Sequence, residues 1–205
     1  MKKTLQRSIQ ITLLVLFVAL IIMGKPQLWM GLFVLGILAS FVFGRVYCGW
    51  ACAINTVLIG ITTIKKKMKI KDKPIPNWLK KPIVRYIGLG LFVLTFIFTL
   101  RTGAKLPVLP VIILSGMILT FVYPEELWHR YLCPYGTILH TASKTAKKGV
   151  TIDSDICNNC GLCMRVCPAL AVEKEEKSHL VLKDDCLVCM ECVRKCPQDA
   201  ISYKS

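Results

Sequence analysis

Four long apolar runs fill most of the first 123 residues, and no other feature constrains the fold as tightly. They are Ile9–Gly24, Leu28–Phe43, Ile83–Leu100 and Leu106–Tyr123. A helix crosses the hydrocarbon with about 17–25 mostly apolar residues. The first two runs need their flanks to reach that length, Ser8 on one and Val46 and Tyr47 on the other. Arg85, near the start of the third, is expected to snorkel to the interface. Lys2, Lys3 and Arg7 ahead of an apolar stretch look like a signal peptide. However, no small-x-small cleavage site follows, and a second apolar run starts after Gly24-Lys25-Pro26-Gln27. The sequence predicts an α-helical membrane bundle of four transmembrane helices with its first span retained.

Charge orients the bundle. The 205-residue chain holds 27 Lys+Arg against 12 Asp+Glu. Val150–Ser205 carries 7 basic and 9 acidic residues, which leaves 20 and 3 for residues 1–149. Positive charge gathered around apolar runs points to a lipid membrane. Nucleic acid is not an expected partner, because no recognition module accompanies the charge. The 44–82 loop holds Lys65, Lys66, Lys67, Lys69, Lys71, Lys73, Lys80 and Lys81, whereas the opposite side holds only Lys25, Arg101 and Lys105. By the positive-inside rule the protein is a multi-pass component of the cell membrane, with both termini and this loop cytoplasmic. The lysine run reads either as a solvated face against anionic headgroups or as a docking site for an acidic partner. Trp29, Trp50, Trp78 and Trp128 fall near span ends, as interfacial anchors do.

An internal repeat emerges when Cys52 is set against Cys133, an offset of 81. Trp50 then meets Tyr131, Thr56 meets Thr137, and Val57-Leu58 meets Ile138-Leu139. Each half is a membrane hairpin, a cysteine motif at the cytoplasmic mouth, and a semi-apolar stretch expected to lie along the interface as a helix. Two repeated hairpins with pseudo-twofold symmetry follow.

The carboxy-terminal segment carries the sharpest spacing. Cys157-x2-Cys160-x2-Cys163-x3-Cys167-Pro168 recurs 29 residues later as Cys186-x2-Cys189-x2-Cys192-x3-Cys196-Pro197. Two such runs are the pattern of a bacterial two-cluster ferredoxin, in which the fourth cysteine of each run ligates the other cluster. Two 4Fe–4S clusters are therefore expected, one on Cys157, Cys160, Cys163 and Cys196, the other on Cys186, Cys189, Cys192 and Cys167. Gly161 gives room where backbone nears sulfide, and Val166, Ala169, Ala171, Val188, Ala200 and Ile201 are expected to shield the clusters. A reducing cytoplasm argues against disulfides, and three-cysteine runs do not fit zinc. The chain divides into a membrane domain, 1–149, and a small α+β two-cluster ferredoxin domain, 150–205.

Three of the 11 cysteines stand outside these runs. Cys48 and Cys52 share the i, i+4 spacing of His129 and Cys133, which on a helix faces one way. Two readings stand. The four residues hold a third Fe–S or metal site at the membrane mouth, or the thiols pack as small hydrophobes. His140 is read as an interfacial polar residue and His179 as a surface turn residue.

The motifs Gly44-Arg45-Val46-Tyr47-Cys48-Gly49-Trp50-Ala51-Cys52 and Arg130-Tyr131-Leu132-Cys133-Pro134-Tyr135-Gly136, with the two ferredoxin runs, resemble those of membrane polyferredoxin-like proteins of the NapH/NosR type. The resemblance covers the chain from the second span to the end. The family pattern is C-x3-C-P twice; here Ala53 replaces the first proline and His129 stands where a cysteine would complete the second motif. The resemblance implies an electron-transfer subunit of an anaerobic respiratory or reductase complex rather than a self-contained enzyme. It would relay electrons between a cytoplasmic ferredoxin or flavoprotein and quinone or a membrane or extracytoplasmic reductase subunit. The alternative is an accessory factor for assembly or regulation of a metalloenzyme such as a copper oxidase, with the clusters as reductant or sensor.

Overall fold

The computed structural model describes residues 3–102 and 108–204. Lys2, Lys105 and Leu106, the expected start of the fourth run, lie outside the described residues. Each apolar run is helical over most of its described residues: α1 (Lys3–Ile22), α2 (Gln27–Phe43), α5 (Pro82–Thr102) and α6 (Val108–Val122). Between and after them come α3 (Val46–Trp50), α4 (Ala53–Lys67), α7 (Pro134–Ser143), α8 (Leu162–Arg165) and α9 (Glu191–Lys195). The strands are β1 (Gly149–Ile152), β2 (Val172–Lys174), β3 (His179–Val181) and β4 (Ile201–Lys204).

Of the four expected spans, α1 and α5 are long and apolar enough to cross a membrane, while α2 and α6 are shorter apolar helices of 17 and 15 residues. At 1.5 Å per residue, 15 residues rise about 22 Å against a hydrocarbon core of roughly 30 Å. Among the described residues, two candidate spans rather than four meet the length.

Residues 1–53 and 138–205 form one compact unit, and 54–137 a second. In the first, Phe17 of α1 meets Trp29 of α2 edge to face, with ring centroids 4.9 Å apart. Gln6 and Gln10, one turn apart on α1, are both buried, and each donates its amide N–H to the Gly49 carbonyl, at 3.0 and 2.8 Å. Those bonds offset the cost of burying two amides. After α2 the chain turns at Gly44 with φ of +70°, and Tyr47 of α3 packs on Phe33 at 5.4 Å.

The cysteine-rich part of this unit is α+β. The β-branched Val150-Thr151-Ile152 of β1 pairs antiparallel with β4, Ile152 opposite Ile201, and β2 pairs antiparallel with β3, Val172 opposite Val181. Ala169, Ala171, Val188, Ala200 and Ile201 are buried between these elements, while Val166 is only partly so. The Tyr203 hydroxyl donates to the Phe43 carbonyl at 2.9 Å, and the Lys148 N–H to the Val42 carbonyl at 2.9 Å, tying this part to the end of α2. His179 is not a surface turn residue. It is 3% exposed, because the alternation of β3 points it inward. His140 is buried as well.

In the second unit, Lys65 departs from the solvated lysine face. It is buried, paired with Asp72, and donates to the carbonyls of Thr120 (2.7 Å) and Tyr123 (3.2 Å). It thereby satisfies carbonyls left open at the end of α6. Arg85 donates from Nε and Nη2 to the Arg130 carbonyl, at 2.8 and 2.5 Å. Trp128 is buried in a π-helical turn (Leu127–Leu132) and Trp29 under α1, whereas Trp78 is exposed as an anchor would be.

Candidate functional site

Two cavities lie in the α+β part of the first unit. Cys157, Cys160, Cys163 and Cys196 line one; Cys186, Cys189, Cys192 and Cys167 line the other. Each thus takes three thiols from one run and the fourth from the other run. Cys163 sits in α8 and Cys192 in α9, and these short helices pack together.

The backbone repeats along with the cysteines. Asn159, Gly161 and Leu170 adopt left-handed conformations (φ of +56°, +73° and +50°), and so do Val188, Met190 and Asp199 (+53°, +60° and +52°), each 29 residues further on. Left-handed non-glycine residues are uncommon, and only Gly161 adopts this conformation without steric cost. Alternating left- and right-handed residues turns successive N–H groups into one concavity, the nest found at anionic and iron–sulfur sites. In keeping with this, the Val188 N–H donates to Cys186 Sγ at 3.4 Å and the Ala171 N–H to Cys167 Sγ at 3.2 Å.

The pockets differ in burial. Cys160 is exposed, whereas Cys186 and Cys192 are each 9% exposed. Burial pushes the Cys186 thiol up to about 11 and the Cys192 thiol up to about 12, and raises Cys189 and Cys163 too, with neighbouring cysteines adding to the rise. Facing thiols in such a setting become thiolates only when cationic metal sits among them. All-thiolate fours with inward N–H groups are the donor set of a 4Fe–4S cluster. The residues fit that group.

The third expected site stands differently. Cys48 and Cys52 belong to the first unit, His129 and Cys133 to the second, and all four are buried. Neither pair lies on one α-helix: α3 ends at Trp50, the Cys52 N–H bonds back to the Tyr47 carbonyl, and Cys133 is extended after the π-helical turn. An i, i+4 pair shares a face only on a regular helix, which these turns are not. Cys48 Sγ lies 3.7 Å from Nη2 of Arg45.

Three further features lie outside the ligand sets expected from the sequence. Arg45, 1% exposed, reaches the Asp185 carbonyl at 3.3 Å. Among the described residues, His140, Asp184 and Asp185 bring three donor atoms within 4.8 Å, and His140 Nδ1 lies 3.0 Å from Asp185 Oδ1. In the second unit, Thr62 Oγ1 donates to Glu125 Oε2 at 3.2 Å, and burial pushes the Glu125 carboxyl up to about 7 despite that bond and Lys66, both of which lower it.

The fold and the grouped thiols define a ferredoxin-type iron–sulfur protein with a helical amino-terminal region. A family described as "4Fe-4S dicluster domain" matches residues 149–199, and one described as "4Fe-4S binding domain" matches twice, at 26–71 and 106–152. The chain is similar to NapH and to other ferredoxin-type proteins. It is 28% identical over 165 residues to the ferredoxin-type protein NapH of Haemophilus influenzae, covering 70% of this chain and 56% of that one. It is 25% identical over 162 residues to the putative electron transport protein YccM of Escherichia coli, covering 65% and 44%. It is 26% identical over 180 residues to the methylamine utilization ferredoxin-type protein MauN of Paracoccus denitrificans, covering 76% and 61%. The chain spans about half the length of the curated relatives it matches. No solved structure matches it.

Proposed function

We propose that the chain is a membrane-bound electron-transfer subunit that relays electrons between a cytoplasmic redox partner and quinone or a membrane or extracytoplasmic reductase partner. The observation that carries this reading is the exchange of the fourth cysteine, which divides eight thiols into two pockets of four. Cys157, Cys160, Cys163 and Cys196 would hold one 4Fe–4S cluster and Cys186, Cys189, Cys192 and Cys167 the other. When bound, such clusters supply one-electron exchange. The chain itself supplies the thiolates, aims N–H groups at their sulfurs, and excludes water with Ala169, Ala171 and Ala200.

Residues 1–149 form the membrane domain in this reading, with four spans and both termini cytoplasmic. The doubled match at 26–71 and 106–152 supports a repeated unit of apolar helix and cysteine motif, and the lysine-rich 44–82 loop supports the orientation.

Full-length protein purified anaerobically in detergent should hold at least about eight iron, from two four-iron sites. About four iron, or zinc in its place, overturns the two-cluster reading. Protease should cleave the ferredoxin domain in inverted vesicles and spare it in intact spheroplasts; the opposite pattern overturns the orientation.

A further inference from the structure

The turn that ends the first hairpin lies against the second cysteine loop and not merely near it. Trp50 Nε1–H donates to the Val188 carbonyl at 3.0 Å, and Arg45 Nη1–H to the Asp185 carbonyl at 3.3 Å. At Gly49 an added Cβ would lie 2.3 Å from the Leu187 carbonyl oxygen and 3.1 Å from the Cys189 nitrogen, so the two backbones approach more closely than any side chain allows. From the other flank, Arg194 donates to Gln6 Oε1 at 3.0 Å and to the Cys189 carbonyl at 2.9 Å. Residues 185–190 are thus held by α1 and α3 together. At the other pocket Cys160 is exposed, with Ile156 and Leu162 50% and 37% exposed beside it.

We infer that Arg45 is the positioning residue through which the first hairpin holds the second pocket and favours its reduced form. The second pocket is then the hairpin-side end of the relay and the first pocket its water-side end. This rests on the two-cluster reading above.

The guanidinium remains charged at any working pH. Its acidic neighbour Asp185 is 4.0 Å away and also lies 3.0 Å from His140 Nδ1. A buried charge acts through a low effective dielectric. Each electron entering a cluster adds one negative charge and makes or breaks no bond, so a fixed cation held on the Asp185 carbonyl, one residue before Cys186, favours the reduced state there. Net charge near the cluster is one of the established levers on its potential.

The test is an EPR-monitored redox titration of anaerobically purified full-length protein, with the second-pocket wave identified as the one lost in Cys189→Ser. Arg45→Met should move that wave to lower potential and leave the other in place, while Arg45→Lys, which keeps the charge, should hold it near wild type. Asp185→Asn removes the opposing charge and should move the same wave upward, which decides the matter if Arg45→Met fails to assemble. No movement of the second-pocket wave in either charge variant, or equal movement of both waves, overturns the inference. In stopped-flow mixing, a bulky water-soluble oxidant should bleach the first-pocket signal before the second; the reverse order overturns the assignment of ends. A wild-type chain with only about four iron fails at the two-cluster reading itself, and the iron count separates that failure from a failure of the role given to Arg45.

Discussion

The indole N–H of Trp50 donates to the carbonyl of Val188 at 3.0 Å, linking residues 138 positions apart. Val188 is itself left-handed, with φ of +53°, and its own N–H bonds Cys186 Sγ. The hydrogen bond therefore holds a peptide whose geometry local preference opposes. Trp50→Phe keeps an aromatic ring and deletes the donor. It should cost about 1 kcal/mol, read as a lower urea midpoint for loss of cluster absorbance in the full chain. An unchanged midpoint would return Trp50 to the role of a simple interfacial anchor.

Gly49→Ala should act on one pocket. Its methyl would meet the Leu187 carbonyl at 2.3 Å, a contact that only a backbone shift can relieve. Overpacking of this kind costs roughly 1–3 kcal/mol, and here it falls on the loop carrying Cys186 and Cys189. Iron content should drop toward about four per chain, with the signal of the first pocket retained. Loss of both signals together would mean that the two loops fold as one unit.

The positions of the helices and the 29-residue offset of the cysteine runs are legible in the sequence, because apolar runs and ligand spacing are local patterns. The docking of Gly44–Trp50 on the second loop is not. Cys48-Gly49-Trp50 reads as part of a ligand motif, and nothing local says that Gly49 is small to admit the backbone of Leu187. The left-handed Leu170, Val188 and Met190 go against the preferences of their residue types and leave no sequence signal. Cys48 and Cys52 look like a helical pair only if the helix continues, and the bond from the Cys52 N–H to the Tyr47 carbonyl ends that regularity. Lys65 and Arg85 look like interfacial cations, yet both turn to backbone carbonyls supplied by distant segments.

Exchange of the fourth cysteine has a direct consequence. Cys167→Ser should remove the signal of the pocket that Cys186, Cys189 and Cys192 line, although Cys167 follows the first run in sequence. Cys196→Ser should do the same to the pocket of Cys157, Cys160 and Cys163. EPR of the two variants, each holding about four iron, should therefore show complementary surviving spectra. If each substitution instead damages the cluster of its own run, the crossed arrangement fails.

Glu125 makes stability depend on pH. Its carboxyl is raised from 4.5 to about 7, first by burial and then by Glu126 and Asp72, against the lowering effects of the Thr62 hydrogen bond and Lys66. Between pH 4.5 and about 7 the folded chain holds this proton more tightly than the unfolded chain does. Stability must therefore fall as pH rises through that window, with no penalty below it, where both states are protonated. The shift corresponds to up to about 3 kcal/mol at the upper end. Glu125→Gln keeps an acceptor for the Thr62 hydroxyl and removes the titration. Thermal unfolding of the detergent-solubilised protein across pH 4.5 to about 8 should show a flatter profile for this variant, with its gain over wild type largest above pH 7. A shallow slope will persist, because burial raises Glu126 too. If the variant and wild-type profiles run parallel, Glu125 is charged in the fold at all these pH values and the linkage is absent.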